Sequence, residues 1–528
     1  MARVLVSDPL SKEGLKILEE ADGIQVDVKT GLEKDELCKI IPSYDALVVR
    51  SQTKVTEEVI RAGERLRVIG RAGVGVDNID LDEATKRGII VMNAPGGNTV
   101  STAEHTMAMI LALSRNIPQA VSSLKMGEWE RKKFRGVELF SKRLGIVGLG
   151  RIGSYVAKLA KAFGMKVLAY DPYISLDKAK RIGVELVEIE DLYRSSDYIT
   201  FHIPLTDKTY HMVGENEFKK MKDGVRIINC ARGGIIDEDA LYRAMEDGKV
   251  GGAAFDVYEN EPPVESPLLK LPNFIGVPHI GASTIEAQIN VGIEMAHQIV
   301  DALRDGPIRN AVNIHQVEPE VLDEIGPYLA LSEKIGKLHA QLLEGHMEEV
   351  EMKIGGEISM YEVAPFKAAF LKGLLGEILE GAVVNYVNAP YIAKERGLEV
   401  VEVKDKEEKD FVNLVTISLR TDRVTRSIAG SIFAKEDLRI VSIDGFRIDG
   451  IPSGNMLIIS NVDRPGVIGK IGTILGNEGI NIGGLQMGRK AIGGRQLIVL
   501  NIDHEIKPET IQRIQREEEI LDVRVVRL

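Results

Sequence analysis

The chain has 528 residues, 67 Lys+Arg against 79 Asp+Glu, a net charge of -12 and 44% hydrophobic residues. That length suggests about three or four domains with ample apolar content for several cores. The acidic balance argues against a general binder of nucleic acid or anionic membrane, while local basic pockets for small anions stay open.

The two cysteines, Cys38 and Cys230, match no metal-ligand spacing and form no disulfide framework. A reducing compartment, with the cytoplasm as default, is therefore expected, and no metal site. The N-terminal M-A-R-V-L-V-S-D-P-L-S breaks quickly into a turn signal, and no run of about 18 uncharged apolar residues occurs. Neither an export signal nor a membrane span is expected.

Short β-branched runs alternate with helical patterns from Arg3 to Met92: V-L-V near Val4, D-A-L-V-V-R ending at Arg50, L-R-V-I-G around Val68 and G-I-I-V-M at Ile90. Alternation of this kind predicts a parallel sheet with crossover helices. A long helical stretch opens near Val100, with Ser and Thr residues as candidate N-caps. A second α/β series runs from Arg143 to about Ile280, and a second helical segment follows from Thr284. Two long helices bracketing the second series predict an insertion. Residues 99–286 form one domain placed inside another made of 1–98 and 287–306, with a ligand cleft between them.

After D-G-P at Asp305 the texture turns acidic and Gly-punctuated, and 307–452 reads as a separate α+β region. Its charged run K-D-K-E-E-K-D, from Lys404, reads as a solvated turn. Residues 453–528 give strand, D-R-P-G turn, helix, two strands, helix and strand, the βαββαβ order of a ferredoxin-like module.

The segment L-G-I-V-G-L-G-R-I-G places Gly148, Gly150 and Gly153 at G-x-G-x-x-G spacing between a strand and a helix opening near Ser154. The first glycine permits the tight turn, the second lets backbone approach a pyrophosphate, and the third lets helix and strand pack closely. The next strand ends in Asp171, where a carboxylate accepts ribose hydroxyls and repels a 2′-phosphate, so NAD is preferred over NADP.

Further on, N-C-A-R-G-G-I-I-D-E-D-A-L sets Arg232 between a strand and a helix. There it meets a substrate carboxylate or carbonyl, or pairs with Asp237 or Glu238 as an ordinary surface arginine. D-V-Y-E-N-E-P-P follows a strand with Asp256, Glu259 and Glu261, and V-P-H-I-G-A-S-T carries His279. Taken alone, His279 reads either as a structural imidazole or as a proton acceptor supported by a carboxylate.

These four motifs, in this order, resemble the D-2-hydroxyacid dehydrogenase family over residues 1 to about 305. The whole chain resembles its long branch, which carries an intervening region and a terminal ACT regulatory module. The resemblance implies an α/β fold: a Rossmann-type NAD domain inserted in a flavodoxin-like substrate domain, then the α+β region and the ferredoxin-like ACT domain. It implies NAD-dependent oxidation of 3-phospho-D-glycerate at the start of the phosphorylated route to serine. Its catalytic set falls on Arg232, Glu261 and His279, with Glu261 chosen over Glu259 because it directly precedes Pro-Pro.

For the cofactor, the resemblance adds Arg151 and Ile152 at the pyrophosphate, Val74, His202, Ile203, Pro204, Cys230 and Ala282 along the pocket, and Asp256 near the nicotinamide carboxamide. Position 203 carries Ile where many relatives carry Thr, so only its backbone is assigned. Cys230 is not read as a nucleophile, since hydride transfer needs none.

For the substrate, it points to Arg50, Ser51, Arg71, the Val74 and Gly75 amides and Asn98, with Arg131 or Arg135 reaching in from a neighbouring subunit. The run holding those last two also reads as a solvated face. L-serine is the natural effector at Asn461, Asp463 and Asn481, Arg439 and Arg447 are cationic candidates for an anion in the intervening region, and a homotetramer is implied. A reductase of glyoxylate, hydroxypyruvate or 2-oxoglutarate with the same triad is the alternative, ahead of a nucleotide-sensing regulator without turnover.

Overall fold

The computed structural model describes residues 1–304, 306–315, 317, 319–379, 381, 383–408, 410–434 and 436–528. Asp305 and Lys409, within two of the sequence landmarks, lie outside the described residues. Among the described residues no helix is long and apolar enough to cross a membrane.

The first sheet contains β1 (Ala2–Val6), β2 (Ile24–Val28), β3 (Ala46–Val49), β4 (Val68–Arg71) and β5 (Ile90–Asn93). All pairs are parallel, in the order β2-β1-β3-β4-β5. This is the flavodoxin-like order. Every residue of β3, A-L-V-V, is buried, as the central strand of a parallel sheet covered on both faces must be.

The chain then enters the second domain through the helix Thr99–Arg115, whose N-cap is Asn98 and not one of the hydroxyl residues. Its face Ala103, Met107, Ile110 and Leu113 packs into the second core with Leu144, Ile146 and Val156. That domain's strands are β6 (Arg143–Val147), β7 (Lys166–Tyr170), β8 (Glu185–Leu186), β9 (Tyr198–Phe201), β10 (Val225–Asn229), β11 (Val250–Phe255) and β12 (Phe274–Gly276). The order β12-β11-β10-β9-β6-β7-β8, all parallel, is the doubly wound dinucleotide-binding topology with one added strand.

The return is the helix Ile285–Leu303, N-capped by Thr284, whose hydroxyl accepts the Ala287 amide. Val291, Met295 and Ile299 pack on the first sheet with Val4, Val48 and Met92. The helix Lys12–Glu19 lies so close that a Cβ on Gly14 would sit 2.6 Å from the Gly292 carbonyl oxygen.

The first domain reaches further than residue 306. Ala311 bridges Met92, the Val312 amide donates to Val91, and Asn313 bonds the Val91 amide and the Ile89 carbonyl. The edge strand β5 has backbone groups to satisfy, and 310–313 satisfies them. Val317 already packs with the third core, so the boundary falls between 314 and 317.

The third domain has β13 (Met347–Gly356), β14 (Glu399–Asp405), β15 (Asn413–Thr421), β16 (Thr425–Phe433), β17 (Asp437–Ile443) and β18 (Phe446–Gly450) in the order β14-β13-β15-β16-β17-β18. Only the β13–β14 pair is parallel. The expected turn at Lys404 starts later, because Lys404 and Asp405 close β14 and Asp405 pairs with Lys353 on β13 at 2.7 Å.

The last domain, β19 (Asn455–Val462), β20 (Ile482–Arg489), β21 (Arg495–Ile502) and β22 (Ile520–Arg527), has the antiparallel order β20-β21-β19-β22 with two helices. This is the ferredoxin-like arrangement.

The close approach at Gly14 yields a prediction for the discontinuous first domain. Gly14→Val places side-chain carbons against rigid backbone of the returning helix. Unfolding by denaturant should show a loss of about 1–3 kcal/mol, as for other overpacked contacts.

Candidate functional site

Open parallel sheets bind ligands beyond the carboxyl ends of their strands, and the two sheets present those ends to one cleft. The second domain contributes Arg232 after β10, Glu261 after β11 and His279 after β12. The first contributes Arg50 after β3 and Arg71 with the 73–78 loop after β4.

His279 Nδ1 lies 2.9 Å from Glu261 Oε2. An ionised carboxylate only accepts, so Nδ1 carries the proton and the other ring nitrogen, Nε2, is left with its lone pair in the neutral ring. The hydrogen bond and charge of Glu261 hold the His279 imidazole above its ordinary range, against burial and the Arg232 guanidinium. Burial alone would raise the Glu261 carboxyl, but the His279 bond and charge and the Tyr258 amide, 3.2 Å from Oε1, bring it below its usual range.

His279 itself has φ +52°, a left-handed conformation uncommon for a non-glycine residue. Asp256, 2% exposed, fixes the loop that follows. Its two oxygens accept the Ile280 amide at 2.6 Å and the Gly281 amide at 2.8 Å, with His105 3.5 Å away. This bonding sets the Asp256 carboxylate directly behind the loop that follows His279.

Arg232 pairs with neither Asp237 nor Glu238. Its Nε lies 3.3 Å from Asp77 of the first domain, Nη1 donates to the Ala231 carbonyl, and a Cβ on Gly75 would sit 2.2 Å from Nη2. Arg71 is held by Asn78 Oδ1 at 3.1 Å, and the Asn78 amide nitrogen donates to the Arg50 and Thr53 carbonyls. Asp8 at the end of β1 accepts the Arg50 and Thr53 amides. Burial pushes the Arg71 guanidinium down to about 10, with the nearby Arg232 and Arg50 charges adding to the fall and Asp77 and Asp8 opposing it. The Arg71 guanidinium thus sits in the field of both Arg50 and Arg232, and the Arg232 charge also reaches His279.

Ser51 is exposed at the same strand end, Val74 is fixed by Asn93 through its carbonyl, and Asn98 Oδ1 is buried without a partner among the described residues. Arg131 and Arg135 are exposed and bond none of the site residues.

At the glycine loop, Gly148 has φ +94°, and a Cβ there would meet the His202 carbonyl at 2.5 Å. Gly153 approaches the Gly148 carbonyl, with 2.0 Å to an added Cβ. Gly150 faces open space and caps the helix Arg151–Ala162, which opens three residues before Ser154 and has no side-chain cap. Arg151 and Ile152 therefore stand in a first turn whose amides are free for an anion.

Asp171 accepts the Leu149 amide at 2.8 Å and the Tyr173 amide at 2.9 Å, placing its carboxylate at the loop. An open second glycine, a bare helix start and a carboxylate on the next strand fit NAD. His202, flanked by Ile203 and Pro204, is pushed down to about 4 by burial and is thus neutral. Cys230 is pushed up to about 12 by burial first and Asp256 second, so it is a thiol and not a nucleophile. Ala282 lies in the loop after His279.

The regulatory candidates fare less well within one chain. Asn461 and Asp463 lie where β19 faces Gln496, while Asn481 precedes Ile482, which faces Ile502 at the other end of β21. Asp463 is paired with Arg489 at 2.9 Å, Asn481 with Asp503 at 2.7 Å. Arg439, a cationic candidate, is paired with Asp437 and Asp449, and Arg447, the other, with Asp410.

Sequence reasoning missed Asp8, Asp77 and Asn78. The last two sit in G-V-D-N-I-D directly after Gly75, a signal in plain view; Asp8, in S-D-P, ends a strand of the same sheet.

The raised imidazole yields a pH prediction. A proton acceptor must be neutral, so kcat/KM for hydroxy-acid oxidation should rise with pH through the raised His279 value. For oxo-acid reduction, which needs the protonated ring, it should fall across the same range. Glu261→Gln should move both inflections to more acid pH, read from pH–rate profiles.

Three family models match in order: D-isomer specific 2-hydroxyacid dehydrogenase, NAD binding domain (residues 107–281), D-3-phosphoglycerate dehydrogenase intervening domain (324–444) and ACT domain (455–519). D-3-phosphoglycerate dehydrogenase of Methanocaldococcus jannaschii is 49% identical over all of both chains, and that of Archaeoglobus fulgidus 46% over all of both. The crystal structure of D-lactate dehydrogenase from Aquifex aeolicus complexed with NAD and lactic acid matches with TM-score 0.52 and 32% identity, over 57% of this chain and 96% of that one. Full-length identity near one half, with all three domains in register, means that this chain belongs to the D-3-phosphoglycerate dehydrogenase family.

Proposed function

We propose that the protein oxidises 3-phospho-D-glycerate to 3-phosphohydroxypyruvate with NAD, the first step of the phosphorylated route to L-serine, in the cytoplasm. The observation that carries this reading is one loop that gathers three arginines: Asn78 bonds the Arg71 guanidinium and the Arg50 carbonyl, and a Cβ on Gly75 would meet the Arg232 guanidinium at 2.2 Å. A small 2-hydroxy acid with one carboxylate needs one guanidinium. A substrate with a carboxylate at one end and a phosphate at the other fits three.

NAD, bound at the glycine loop, supplies the acceptor for the C2 hydride. His279 Nε2 takes the C2 hydroxyl proton, and Glu261 stabilises the imidazolium that forms. Arg232 holds the carboxylate and the C2 oxygen as the latter becomes a carbonyl, and the Val74 and Gly75 amides support the carboxylate. Arg50 and Arg71 hold the phosphate with Ser51 and Asn98, and Arg131 or Arg135 of a neighbouring subunit adds a cation. The unphosphorylated reductase reading leaves the Arg50–Arg71 pair without a task.

NADH formation with 3-phosphoglycerate, D-glycerate and 2-hydroxyglutarate in parallel tests this. Arg71→Met should lower kcat/KM for the phosphorylated acid by about ten- to a hundredfold, the worth of a charged hydrogen bond, and leave D-glycerate nearly unaffected. Equal wild-type activity on all three acids would overturn the assignment.

A homotetramer with serine bound between terminal modules follows the same family reading. Asn461 and Asp463 lie at one end of the sheet and Asn481 at the other, so one bound amino acid can touch all three only across two copies. Serine at millimolar levels should slow wild-type turnover, and Asn481→Ala should remove that response without changing the basal rate. An unchanged wild-type rate and melting temperature would sink it.

A further inference from the structure

A second His–carboxylate contact lies behind the first. Glu259, two residues before Glu261, exchanges bonds with Glu238 in the first turn of the helix Glu238–Glu246. The Glu259 amide donates to Glu238 Oε1 at 2.7 Å, and the Glu238 amide donates to Glu259 Oε1 at 3.2 Å. The same Glu259 oxygen lies 2.9 Å from His211 Nε2.

His211 is itself fixed. Its amide donates to the Gly234 carbonyl at 2.7 Å, its φ is +47°, its ring stacks on Tyr210 at 4.0 Å, and Asp237 lies 4.0 Å from Nδ1. Between these bonds the backbones touch: a Cβ on Gly233, next to Arg232, would lie 1.8 Å from the Tyr258 carbonyl oxygen. The loop after Arg232, the start of the following helix and the loop 258–261 are therefore one braced unit. Its last member is Glu261, whose Oε1 meets the Tyr258 amide.

We propose that His211, Glu259 and Glu238 are positioning residues that hold Glu261 against His279; this rests on His279 being the proton acceptor. The arrangement explains why the neighbouring carboxylate, Glu259, is spent on a histidine outside the cleft. Glu259 bonds His211 and the Glu238 amide, and so fixes the loop that carries Glu261 to His279. The charged groups facing His279 are Glu261, Asp256 and Arg232; those facing Glu259 are His211 and Glu238, with Asp237 across the His211 ring. None of the three proposed residues bonds Arg50 or Arg71, so substrate affinity is left to the arginines.

The test compares full-length wild type with Glu259→Ala, Glu259→Gln and His279→Ala in the oxidation assay across pH, together with KM, NADH binding and melting temperature. A loosened Glu261 should lower kcat about tenfold or more, since small misplacements at a reacting centre are costly. In Glu259→Ala the acid inflection of kcat/KM should also move to lower pH, while KM for 3-phosphoglycerate and NADH binding stay within about twofold. Glu259→Gln keeps an oxygen for the His211 and Glu238 donors and should restore most of the rate and the inflection. A Glu259→Ala protein with the wild-type inflection would overturn the proposal, whether its rate is intact or lost along with melting temperature. Turnover by His279→Ala would overturn the underlying assignment instead, a result separable from anything seen at position 259.

Discussion

Three like charges must be kept close in a partly buried cleft, and much of the first domain's local structure serves that constraint. Burial and repulsion both act against the charged form of Arg71, which is why its guanidinium falls to about 10. The counterweights are built into strand ends. Asp8 closes β1 and holds the Arg50 backbone, Asn78 bridges Arg71 to the Arg50 and Thr53 carbonyls, and Asp77 faces Arg232. An anionic ligand completes the balance, so the arginines give the cleft a preference for negative charge.

Arg232 belongs to the second domain by sequence and to the first by contact. Its Nε meets Asp77 and its Nη2 lies over Gly75, so the charge cluster exists only when the two domains face each other. The chain crosses between domains twice, before Thr99 and after Thr284, and the two crossings lie side by side. Ser101 and Thr284 hydroxyls are 2.7 Å apart, and a Cβ on Gly97 would sit 2.6 Å from Val291 Cγ2. The two crossings thus form one paired connection between the domains, on the side of the cleft that also holds Asn98.

The strands, the glycine loop and the placing of Arg232, Glu261 and His279 after strands were legible from local rules, since buried parallel strands read as apolar runs and ligand residues follow them, while the choice of these three as a set came from the family resemblance. The choice of Glu261 over Glu259 came from its place before Pro-Pro, and the geometry gives the two carboxylates different histidines. What local rules could not supply was pairing across the fold. Asp77 is two residues from Gly75, but its partner is 155 positions away, read from Asp77 and Arg232. Residues 310–313 read as part of the following domain because their attachment to the edge of β5 runs through backbone groups, and the partners of Arg439 and Arg447, Asp437, Asp449 and Asp410, appear only once the sheet is formed.

Ile458, Leu497, Val499 and Val526 of the ACT sheet share one core with Val350, Ile417 and Ile440 of the intervening sheet, so these two domains form one packed body. That body meets the first domain at the loop before β5, where Asn385 donates to the Gly88 carbonyl at 2.7 Å and Lys86 lies over Tyr391. β5 pairs with β4, the strand that ends in Arg71. A ligand at the terminal module shifts turnover only by the difference in its affinity for two arrangements of that body. The seam at Gly88 adds no charge to the cleft. An effector acting through it must therefore move the sheet that carries Arg71 rather than alter the field in the cleft.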